Sequence, residues 1–478
     1  MAVKRFSLDD QSAFADLSHD YNPIHVDPVI ARRLIYGQPV VHGVNALLWA
    51  LSLLAKQLAR PTLISDLSCS FIKPIVLEID TAADITLTAP GKAELRIRQY
   101  GNLIARFKLE YLDAGVLSQA GFSTPWPSGA SILQRNPEDV SGESMATRAG
   151  SLELFLNCAE VDCIYGPDLL TVFGQGQIAE IIALTRLVGM HVPGLNSLFT
   201  EIKLKRSSWV ELRVLQYRVT DFDSRFQQAT IACRSPSFES TLKAFLRPRL
   251  IRQAGYADIQ AKTARLDVGS HRALVIGGSR GIGEVTAKVL AAGGADVLIT
   301  YSKGREDAEA VVEDVRSHGG KARAIQCDVL GSIDAALSDF AAFKPTHVYF
   351  FATPYIFNGQ KDTFSYTKLQ SFLGFYIQAF DKIVQALLAV GTINFFHPST
   401  VAIEEMPAAM GEYTVAKAAV EAYCQWLSRN RPQLNIYVPR LPRIATDQTV
   451  SILSVDNNDS IIITEYISTF LAESKTNV

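Results

Sequence analysis

Apolar and polar residues alternate along residues 78–113, and this pattern predicts strands. The segments are DITLTAP, AELRIRQYG and LIARFKLEYL, with turns at Gly91 and Gly101-Asn102. Because successive side chains of a strand point to opposite faces, the alternation predicts an antiparallel sheet with one face in solvent. Ahead of it stands VNALLWALSLLAKQLA, an apolar run that predicts a buried helix. Residues 1–113 therefore predict one long helix with a sheet wrapped around it.

The same order of helix and strands recurs further along the chain. Residues 174–189 predict a second central helix, followed by the alternating segments SLFTEIKLKR, ELRVLQYRVTDF, QQATIACRS and TLKAFLRPRL. Helix and sheet in this order, twice, indicate an internal duplication. Residues 114–150 lose the periodicity and collect Ser, Gly and Pro, which predicts a connector over the surface. Residues 151–250 then form the second half.

A different pattern begins after 251–270, which we interpret as a polar linker. HRALVIGG predicts a short buried strand, EVTAKVLAAGG a helix and ADVLITYS the next strand. Strand, helix and strand in close succession are typical of a parallel sheet with helices on both faces. We therefore predict an α/β, Rossmann-like, doubly wound domain over residues 271–478.

Composition limits the compartment and the partners. The chain has 478 residues, 48% of them hydrophobic, enough for two or three well-filled cores. A net charge of −2 favours neither nucleic acid nor an anionic membrane as partner. The start, MAVKRFSLDD, lacks the apolar segment of a secretory signal, and the apolar run around 44–59 is too short to span a bilayer. We expect a soluble, cytoplasmic protein. Six cysteines without paired spacing predict reduced thiols and no metal site.

An acid and an imidazole stand five residues apart near the start of the chain. Asp20 and His25 flank Asn22-Pro23, which breaks any helix, so both are predicted on a loop where their side chains converge. Such a pair exchanges protons with a substrate near neutral pH. Gly43 then opens the apolar helix, whose first amides suit an oxygen that gains negative charge. In the alternative interpretation Asp20 caps a turn and His25 is an ordinary surface histidine.

Asp20-Tyr21-Asn22-Pro23-Ile24-His25 is a complete Asp-x-Asn-Pro-x-His signature, and the first 110 residues or so resemble the MaoC-like, R-specific enoyl-thioester hydratases and dehydratases. The resemblance implies a hotdog fold. It implies Asp20 and His25 as the catalytic dyad and the Gly43 amide as oxyanion donor. The segment 71–75, FIKPI, resembles that family's strand after its central helix.

The second half resembles the other half of double-hotdog members of the same family, on the segment VGMHVPGLNSLFTEIKL. We therefore expect an α+β double hotdog domain. Because this half lacks the signature, it is expected to complete the sheet and wall the acyl tunnel without doing chemistry. His191, which has no acidic partner at the right spacing, is expected to be structural.

A glycine-rich turn follows the first strand of the α/β domain and leads into a helix. Glycines there let the backbone approach a pyrophosphate and place it at the helix N-terminus. No carboxylate ends the second strand, where one would hold the ribose hydroxyls of NAD, and basic and hydroxyl residues there favour the 2′-phosphate of NADPH. The alternative is that these are solvated surface charges. The predicted cofactor residues are Gly277, Ser279, Arg280, Gly281, Ile282, Gly283, Ser302 and Lys303.

Further on, Ser399 precedes Tyr413-Thr-Val-Ala-Lys417. Residues four apart share a helix face, so Lys417 is predicted beside the Tyr413 phenol, where its charge favours phenolate. Ser399, at the end of the strand TINFFHPS, is predicted to hydrogen-bond a substrate carbonyl.

Residues 271 to about 450 resemble the short-chain dehydrogenase/reductase family, in particular its ketoacyl-thioester reductases. The resemblance implies Ser399, Tyr413 and Lys417 as catalytic residues and Asp328 near the adenine. Three segments depart from the family pattern: 351–354 reads Phe-Ala-Thr-Pro, Tyr376 falls near the place of the helix asparagine, and 442–443 reads Pro-Arg.

Together the two resemblances imply a bifunctional enzyme of fatty-acid-like or polyketide biosynthesis. An NADPH-dependent 3-ketoacyl-thioester reductase would precede a 3-hydroxyacyl-thioester dehydratase, with substrates carried on an acyl carrier protein or coenzyme A. One alternative is the degradative direction, enoyl-CoA hydration followed by oxidation. Another is a dehydratase whose reductase-like domain only docks or dimerises. The resemblance also implies a homodimer or tetramer.

Overall fold

The computed structural model describes residues 2–114, 126–129, 133–207, 213–249, 252–262, 266–357, 361, 363–446 and 459–474. The chain divides into two compact units, Met1–Arg249 and Leu250–Val478. Among the described residues, no helix has the length and apolar character needed to cross a membrane.

The first unit contains a ten-stranded antiparallel sheet. Its strands are β1 (Ala2–Arg5), β2 (Thr62–Phe71), β3 (Asp80–Ala89), β4 (Lys92–Gln99), β5 (Asn102–Asp113), β6 (Ala149–Glu153), β7 (Ser197–Arg206), β8 (Val214–Asp223), β9 (Gln228–Arg234) and β10 (Phe238–Leu246). Its helices are α1 (Leu8–Ser18), α2 (Pro23–Val26), α3 (Pro28–Ala31), α4 (Gly43–Leu58), α5 (Gly142–Met145), α6 (Cys158–Tyr165) and α7 (Asp168–Arg186), and a π-helical turn (Leu187–His191) continues α7.

The order of the strands repeats within this sheet. From one edge it runs β1-β3-β4-β5-β2, and from the other edge it runs β6-β8-β9-β10-β7. The two inner strands, β2 and β7, pair antiparallel with Leu67 opposite Leu204. The predicted order of helix and sheet, twice over, is therefore confirmed.

Helix α4 is apolar on nearly every face because it is enclosed on all sides. Its residues from Val44 to Leu51 are all buried, and α7 packs against it. The predicted start at Gly43 is confirmed. Glycines at positive φ, Gly91 (+74°) and Gly101 (+76°), make the predicted turns between β3, β4 and β5. The strand expected over 71–75 is wrong, because β2 ends at Phe71 and Pro74 has no amide proton to donate.

The second unit has a six-stranded parallel sheet. The strands are β11 (Arg272–Ile276), β12 (Asp296–Tyr301), β13 (Lys321–Gln326), β14 (His347–Phe350), β15 (Asn394–Phe396) and β17 (Asn435–Tyr437); β16 (Ser399–Thr400) pairs separately with β18 (Arg440–Leu441). In the sheet the strands lie in the order β13-β12-β11-β14-β15-β17. The helices are α8 (Tyr256–Lys262), α9 (Gly281–Ala292), α10 (Arg305–Ser317), α11 (Asp334–Phe343), α12 (Tyr366–Leu373), α13 (Phe380–Leu388), α14 (Ala402–Glu405), α15 (Gly411–Asn430) and α16 (Asp459–Glu473), and a π-helical turn (Gly374–Ala379) joins α12 to α13. The predicted Rossmann-like parallel sheet is confirmed.

Two segments assigned to connections are structured. Helix α8 lies within the expected linker 251–270, and it buries Tyr256 and Ile259 in the core of the second unit. Two apolar side chains three residues apart in a polar segment are enough to anchor one short helix. Likewise β6 begins at Ala149, inside the expected connector, and pairs with β8.

Candidate active sites

The loop that carries the first site is fixed by its own sequence. Helix α1 ends before His19, whose φ is +56°. Asn22 then caps α2, its Oδ1 accepting the Ile24 amide at 3.2 Å, and Pro23 takes the first helical position. The Asn22 amide group donates to Gly189 O at 2.9 Å and Gly194 O at 3.0 Å, so the loop is also tied to the second half of the sheet.

The structure brings Asp20 and His25 together, with His42 as a third member. Their carboxylate oxygen and ring nitrogens all lie within 4.8 Å of one another. Asp20 and His42 are almost fully buried, and the His25 and His42 rings stack at 3.8 Å between centroids. Asp20 is thus no surface cap, and the predicted convergence of the pair is confirmed.

The hydrogen bond of His25 determines which of its nitrogens is free. Nδ1 lies 2.8 Å from Val40 O, and because a carbonyl only accepts, Nδ1 carries the proton and Nε2 keeps its lone pair. Burial, opposed by this hydrogen bond and helped by the charge of Arg247, lowers the pKa of His25 to about 4. His25 is therefore neutral at physiological pH, with the lone pair of Nε2 available to a proton.

The pKa of Asp20 is shifted in the opposite direction. Burial raises its pKa to about 7, against the lowering effect of the Thr185 hydroxyl, which donates to Oδ2 at 2.7 Å, and of the Asn22 amide at 3.2 Å. An acid with this pKa is protonated in about half of the molecules at neutral pH and can deliver its proton there.

Two glycines leave room for this arrangement. A Cβ on Gly189, in the π-helical turn, would lie 2.1 Å from Asp20 Oδ1. A Cβ on Gly43 would lie 2.7 Å from the Phe71 ring, and the α4 N-terminus there takes no side-chain cap. Its first amides therefore stand open to a negatively charged oxygen.

His42 supports the loop rather than the reaction. Its Nε2 lies 3.1 Å from Asp20 O and its Nδ1 3.1 Å from Gln11 Oε1, so both ring nitrogens face carbonyl oxygens of the protein, and the neutral ring donates to one of them. Burial, with the charge of His25, holds the pKa of His42 well below its ordinary value.

Sequence reasoning missed two residues of the second half that contribute to the site, and also a carboxylate of the connector that pairs with His191. Thr185 donates to the Asp20 carboxylate, and Gly189 lies so close to it that a Cβ would clash, although they are 165 and 169 residues away, so the second half helps to form the site. His191 has no acidic partner at the spacing of the signature, but its Nδ1 lies 2.9 Å from Glu138 Oε1, 53 residues away in the chain.

In the second unit the glycine-rich turn has the predicted form. It joins β11 to α9, which begins at Gly281. Gly277 has φ +79°, and a Cβ on Gly283 would lie 2.2 Å from Gly277 O, so the turn packs too tightly for side chains. Ser279 is buried, Arg280 occupies the N-cap without a side-chain cap, and Ile282 lies in the first turn. The open amides and tight turn fit the pyrophosphate of a dinucleotide.

The other predicted cofactor residues lie at the same sheet edge. Ser302 and Lys303 follow β12 and are exposed, and Asp328 follows β13, also exposed, with Oδ1 accepting the Leu330 amide at 3.2 Å. Since β11, β12 and β13 are parallel neighbours, their carboxyl ends share one edge.

The hydroxyl beside Tyr413 is that of Thr400, not the predicted Ser399. The Thr400 hydroxyl is close enough to the phenol to lower the pKa of Tyr413, whereas Ser399 Oγ donates to Glu421 Oε1 at 2.6 Å. Glu421 in turn is held by Arg440. Adjacent residues of β16 point to opposite sides, so one position decides which hydroxyl reaches the site.

Tyr413 and Lys417 share α15 as predicted, but the ammonium lies elsewhere. Lys417 Nζ donates to Pro398 O at 2.7 Å and lies 4.0 Å from the centre of the Tyr376 ring. Tyr376 OH in turn lies 2.6 Å from Thr353 Oγ1. Burial lowers the pKa of Lys417 to about 7 and raises that of Tyr413. The expected lowering of the Tyr413 pKa by Lys417 is therefore wrong.

Comparison with known proteins identifies one family in each unit. Residues 4–98 match the MaoC like domain, and residues 271–342 match the short chain dehydrogenase family. Over 87 residues the chain is 34% identical to an (R)-specific enoyl-CoA hydratase of Aeromonas caviae, covering 18% of this chain and 65% of that protein. Over 57 residues it is 47% identical to a 3-oxoacyl-[acyl-carrier-protein] reductase of Synechocystis sp., covering 12% of this chain and 23% of that protein.

A solved short chain dehydrogenase from Burkholderia cenocepacia, in complex with NADP, is 32% identical with a TM-score of 0.34, covering 38% of this chain and 78% of that one. The chain spans just under two thirds of the hydratase and about a quarter of the reductase. It carries a MaoC-like domain at its N-terminus and a short-chain dehydrogenase domain downstream.

Proposed function

We propose that the chain is a bifunctional enzyme that reduces 3-ketoacyl thioesters with NADPH and dehydrates the resulting 3-hydroxyacyl thioesters, in a biosynthetic direction. The observation that carries this proposal is the convergence of Asp20 and His25, whose ligand atoms lie within 4.8 Å of each other, and burial shifts their pKa values in opposite directions. We further propose that residues 1–250 form a double hotdog, which the mirrored strand order of the sheet supports.

The dehydratase step follows from the two protonation states. His25 Nε2 takes the proton from C2, and the electron pair left there forms the double bond to C3 as the C3–O bond breaks. Asp20 gives its proton to the leaving hydroxyl, which departs as water. The amides at Gly43 hold the thioester oxygen while it carries negative charge. Proton return from His25 to Asp20 through solvent restores the site.

The reductase step uses residues of the second unit. The nicotinamide cofactor, held at the Gly277–Gly283 turn, supplies hydride when bound. Tyr413 gives its phenolic proton to the carbonyl oxygen of the substrate, and Thr400 fixes the direction of the phenol. The raised pKa of Tyr413 keeps that proton in place at neutral pH. The absence of a carboxylate after β12, with Ser302 and Lys303 in its place, supports the choice of NADPH.

A second candidate for this unit is nucleotide binding without turnover. The observation that favours it is that the Lys417 ammonium faces Tyr376 and Pro398 O instead of the Tyr413 hydroxyl. NADPH binding with no reduction of any 3-ketoacyl thioester would support it over the reductase.

The test supplies purified protein with a 3-ketoacyl thioester and NADPH, and follows NADPH oxidation and enoyl formation by mass. Asp20→Asn is expected to reduce the rate of enoyl formation by about a hundredfold or more and to leave the rate of NADPH oxidation unchanged. Tyr413→Phe is expected to abolish NADPH oxidation and to leave dehydration of an added 3-hydroxyacyl thioester unchanged. Enoyl formation by the Asp20→Asn variant at the wild-type rate would overturn the dehydratase assignment.

A further inference from the structure

The buried ammonium of Lys417 rests on an aromatic ring. Lys417 is only 7% exposed. Its Nζ donates to Pro398 O at 2.7 Å and lies 4.0 Å from the centre of the Tyr376 ring. Among the residues that the structure describes, no carboxylate pairs with it. Because burial disfavours a charge, the carbonyl oxygen and the electron-rich face of the ring are the groups that stabilise this cation.

Tyr376 is itself held firmly in place. Its side chain is buried, and the Phe372 ring stacks on it with 5.9 Å between the centroids and 13° between the planes. Its hydroxyl lies 2.6 Å from Thr353 Oγ1. Its backbone carbonyl accepts a hydrogen bond from His397 Nε2 at 2.8 Å. A ring fixed at its backbone, its face and its hydroxyl gives the ammonium a defined position.

A chain of contacts joins this pair to the glycine-rich turn. Ala352 and Thr353 follow β14, and a Cβ on Gly277 would lie 2.9 Å from Ala352 N. Pro398 follows β15, and β11, β14 and β15 are parallel neighbours. Their carboxyl ends therefore share the edge where the strand order reverses, which is where a dinucleotide binds in such sheets. The ammonium of Lys417 lies at this crevice.

We propose that Tyr376 is a positioning residue of the nucleotide site, and that its ring holds Lys417 as a cation at the crevice for the dinucleotide. The positive charge attracts the anionic cofactor, and the N–H groups not bonded to Pro398 O are donors for it. Tyr376 acts through its ring face, because its hydroxyl is engaged with Thr353. This inference rests on the cofactor of the proposed function and not on turnover.

Among the described residues around this ammonium, Lys417 is the one whose titration falls near neutral pH. Burial lowers its pKa to about 7. The groups whose charges interact with it are His397 and Cys424. Burial, with the charge of Lys417, lowers the pKa of His397 to about 3, and burial raises that of Cys424 to about 12. Burial also raises the pKa values of Tyr376 and Tyr413.

The first test follows the charge itself, by NMR of the full chain labelled with ¹³C at Cε of lysine. The wild-type chain is expected to show a lysine signal with a midpoint near pH 7, and Lys417→Met should remove that signal. Tyr376→Leu deletes the ring and is expected to lower the midpoint by about half a pH unit or more. Tyr376→Phe keeps the ring and loses only the hydroxyl. As the matched control it should stay within about 0.3 pH units of wild type.

The second test measures what the cation does, by calorimetric titration of the full chain with NADP⁺. At about pH 6 most molecules of wild type and of Tyr376→Leu carry the cation, so their Kd values should agree within about twofold. At about pH 8 the variant has lost more of the cation, and its Kd is expected to be about threefold or more above that of wild type. Circular dichroism checks that Tyr376→Leu folds; if it does not, Tyr376→Met replaces it, because methionine adapts to the space without supplying a ring.

Three results would overturn the inference. The first is the same Lys417 midpoint in Tyr376→Leu and in wild type. The second is an equal loss of NADP⁺ affinity at both pH values, which would make Tyr376 a packing residue only. The third is an absence of NADP⁺ binding by the wild-type chain. Failure of the proposed reductase is a separate outcome, in which NADP⁺ binds with the expected pH dependence, supporting the inference, but no 3-ketoacyl thioester is reduced.

Discussion

At the scale of single residues, the dehydratase site depends on two opposite shifts in proton affinity. Asp20 must hold its proton and its pKa is raised to about 7, whereas His25 must be unprotonated and its pKa is lowered to about 4. We expect kcat/KM for dehydration to rise with pH through about 4 and to fall through about 7. A profile that continued to rise above 8 would contradict Asp20 as the acid.

Thr185 provides a variant that moves one limb of this profile. Its hydroxyl donates to the Asp20 carboxylate and so lowers the pKa of Asp20. Thr185→Val is expected to raise that pKa, which shifts the alkaline limb to higher pH and leaves the acid limb in place. Thr171→Val, on the same helix but bonded to Pro167 O, is the control and should move neither limb.

Gly189 tests how closely the carboxylate must be held. A Cβ there would lie 2.1 Å from Asp20 Oδ1, so Gly189→Ala must displace the acid. A displacement of about 1 Å costs on the order of a hundredfold in rate, which is the expected loss of kcat for dehydration. Gly129→Ala meets nothing within 4 Å and should keep wild-type activity. A Gly189→Ala variant with normal dehydration would show that the acid is not confined there.

At the scale of elements, the two-residue strand β16 determines which hydroxyl serves Tyr413. The Thr400 hydroxyl acts on the pKa of Tyr413, and Ser399 donates a hydrogen bond to Glu421. We expect Thr400→Val to reduce NADPH-dependent ketoacyl reduction by about tenfold or more and Ser399→Ala to change it by less than about threefold. The reverse result would restore the assignment made from sequence.

The elements also explain which parts of the site can be predicted from sequence. Asp20, Asn22 and His25 are close in the chain, and a proline fixes their loop, so their convergence is encoded locally. The start of α4 at Gly43 and the turn at Gly277–Gly283 are equally local. Thr185 and Gly189 reach the site only because the second half of the unit packs against the first, with β2 paired to β7, and no short motif encodes that pairing.

The phase of a very short strand is a second limit on prediction. Over two residues, alternation gives no periodic signal, so Ser399 and Thr400 cannot be distinguished until Ser399 is seen opposite Arg440. The position of Lys417 is a third limit on prediction. Its ammonium lies on the face of the Tyr376 ring, and Tyr376 belongs to the π-helical turn after α12.

At the scale of the whole molecule, each unit carries its own proton-transfer groups, so the two steps should separate by mutation. His25→Ala is expected to convert a 3-ketoacyl thioester and NADPH into the 3-hydroxyacyl thioester, which accumulates because no base takes the C2 proton. Tyr413→Phe is expected to leave the ketoacyl thioester unreduced.

A mixture of equal amounts of the two variants should form the enoyl thioester after a lag, because the hydroxyacyl product of one chain diffuses to the other. Mass spectrometry of the acyl species over time measures this lag. The wild-type protein at the same concentration is expected to form the enoyl thioester with a shorter lag or with none. Failure of the mixture to form any enoyl product, with each variant active in its remaining step, would contradict a freely released intermediate.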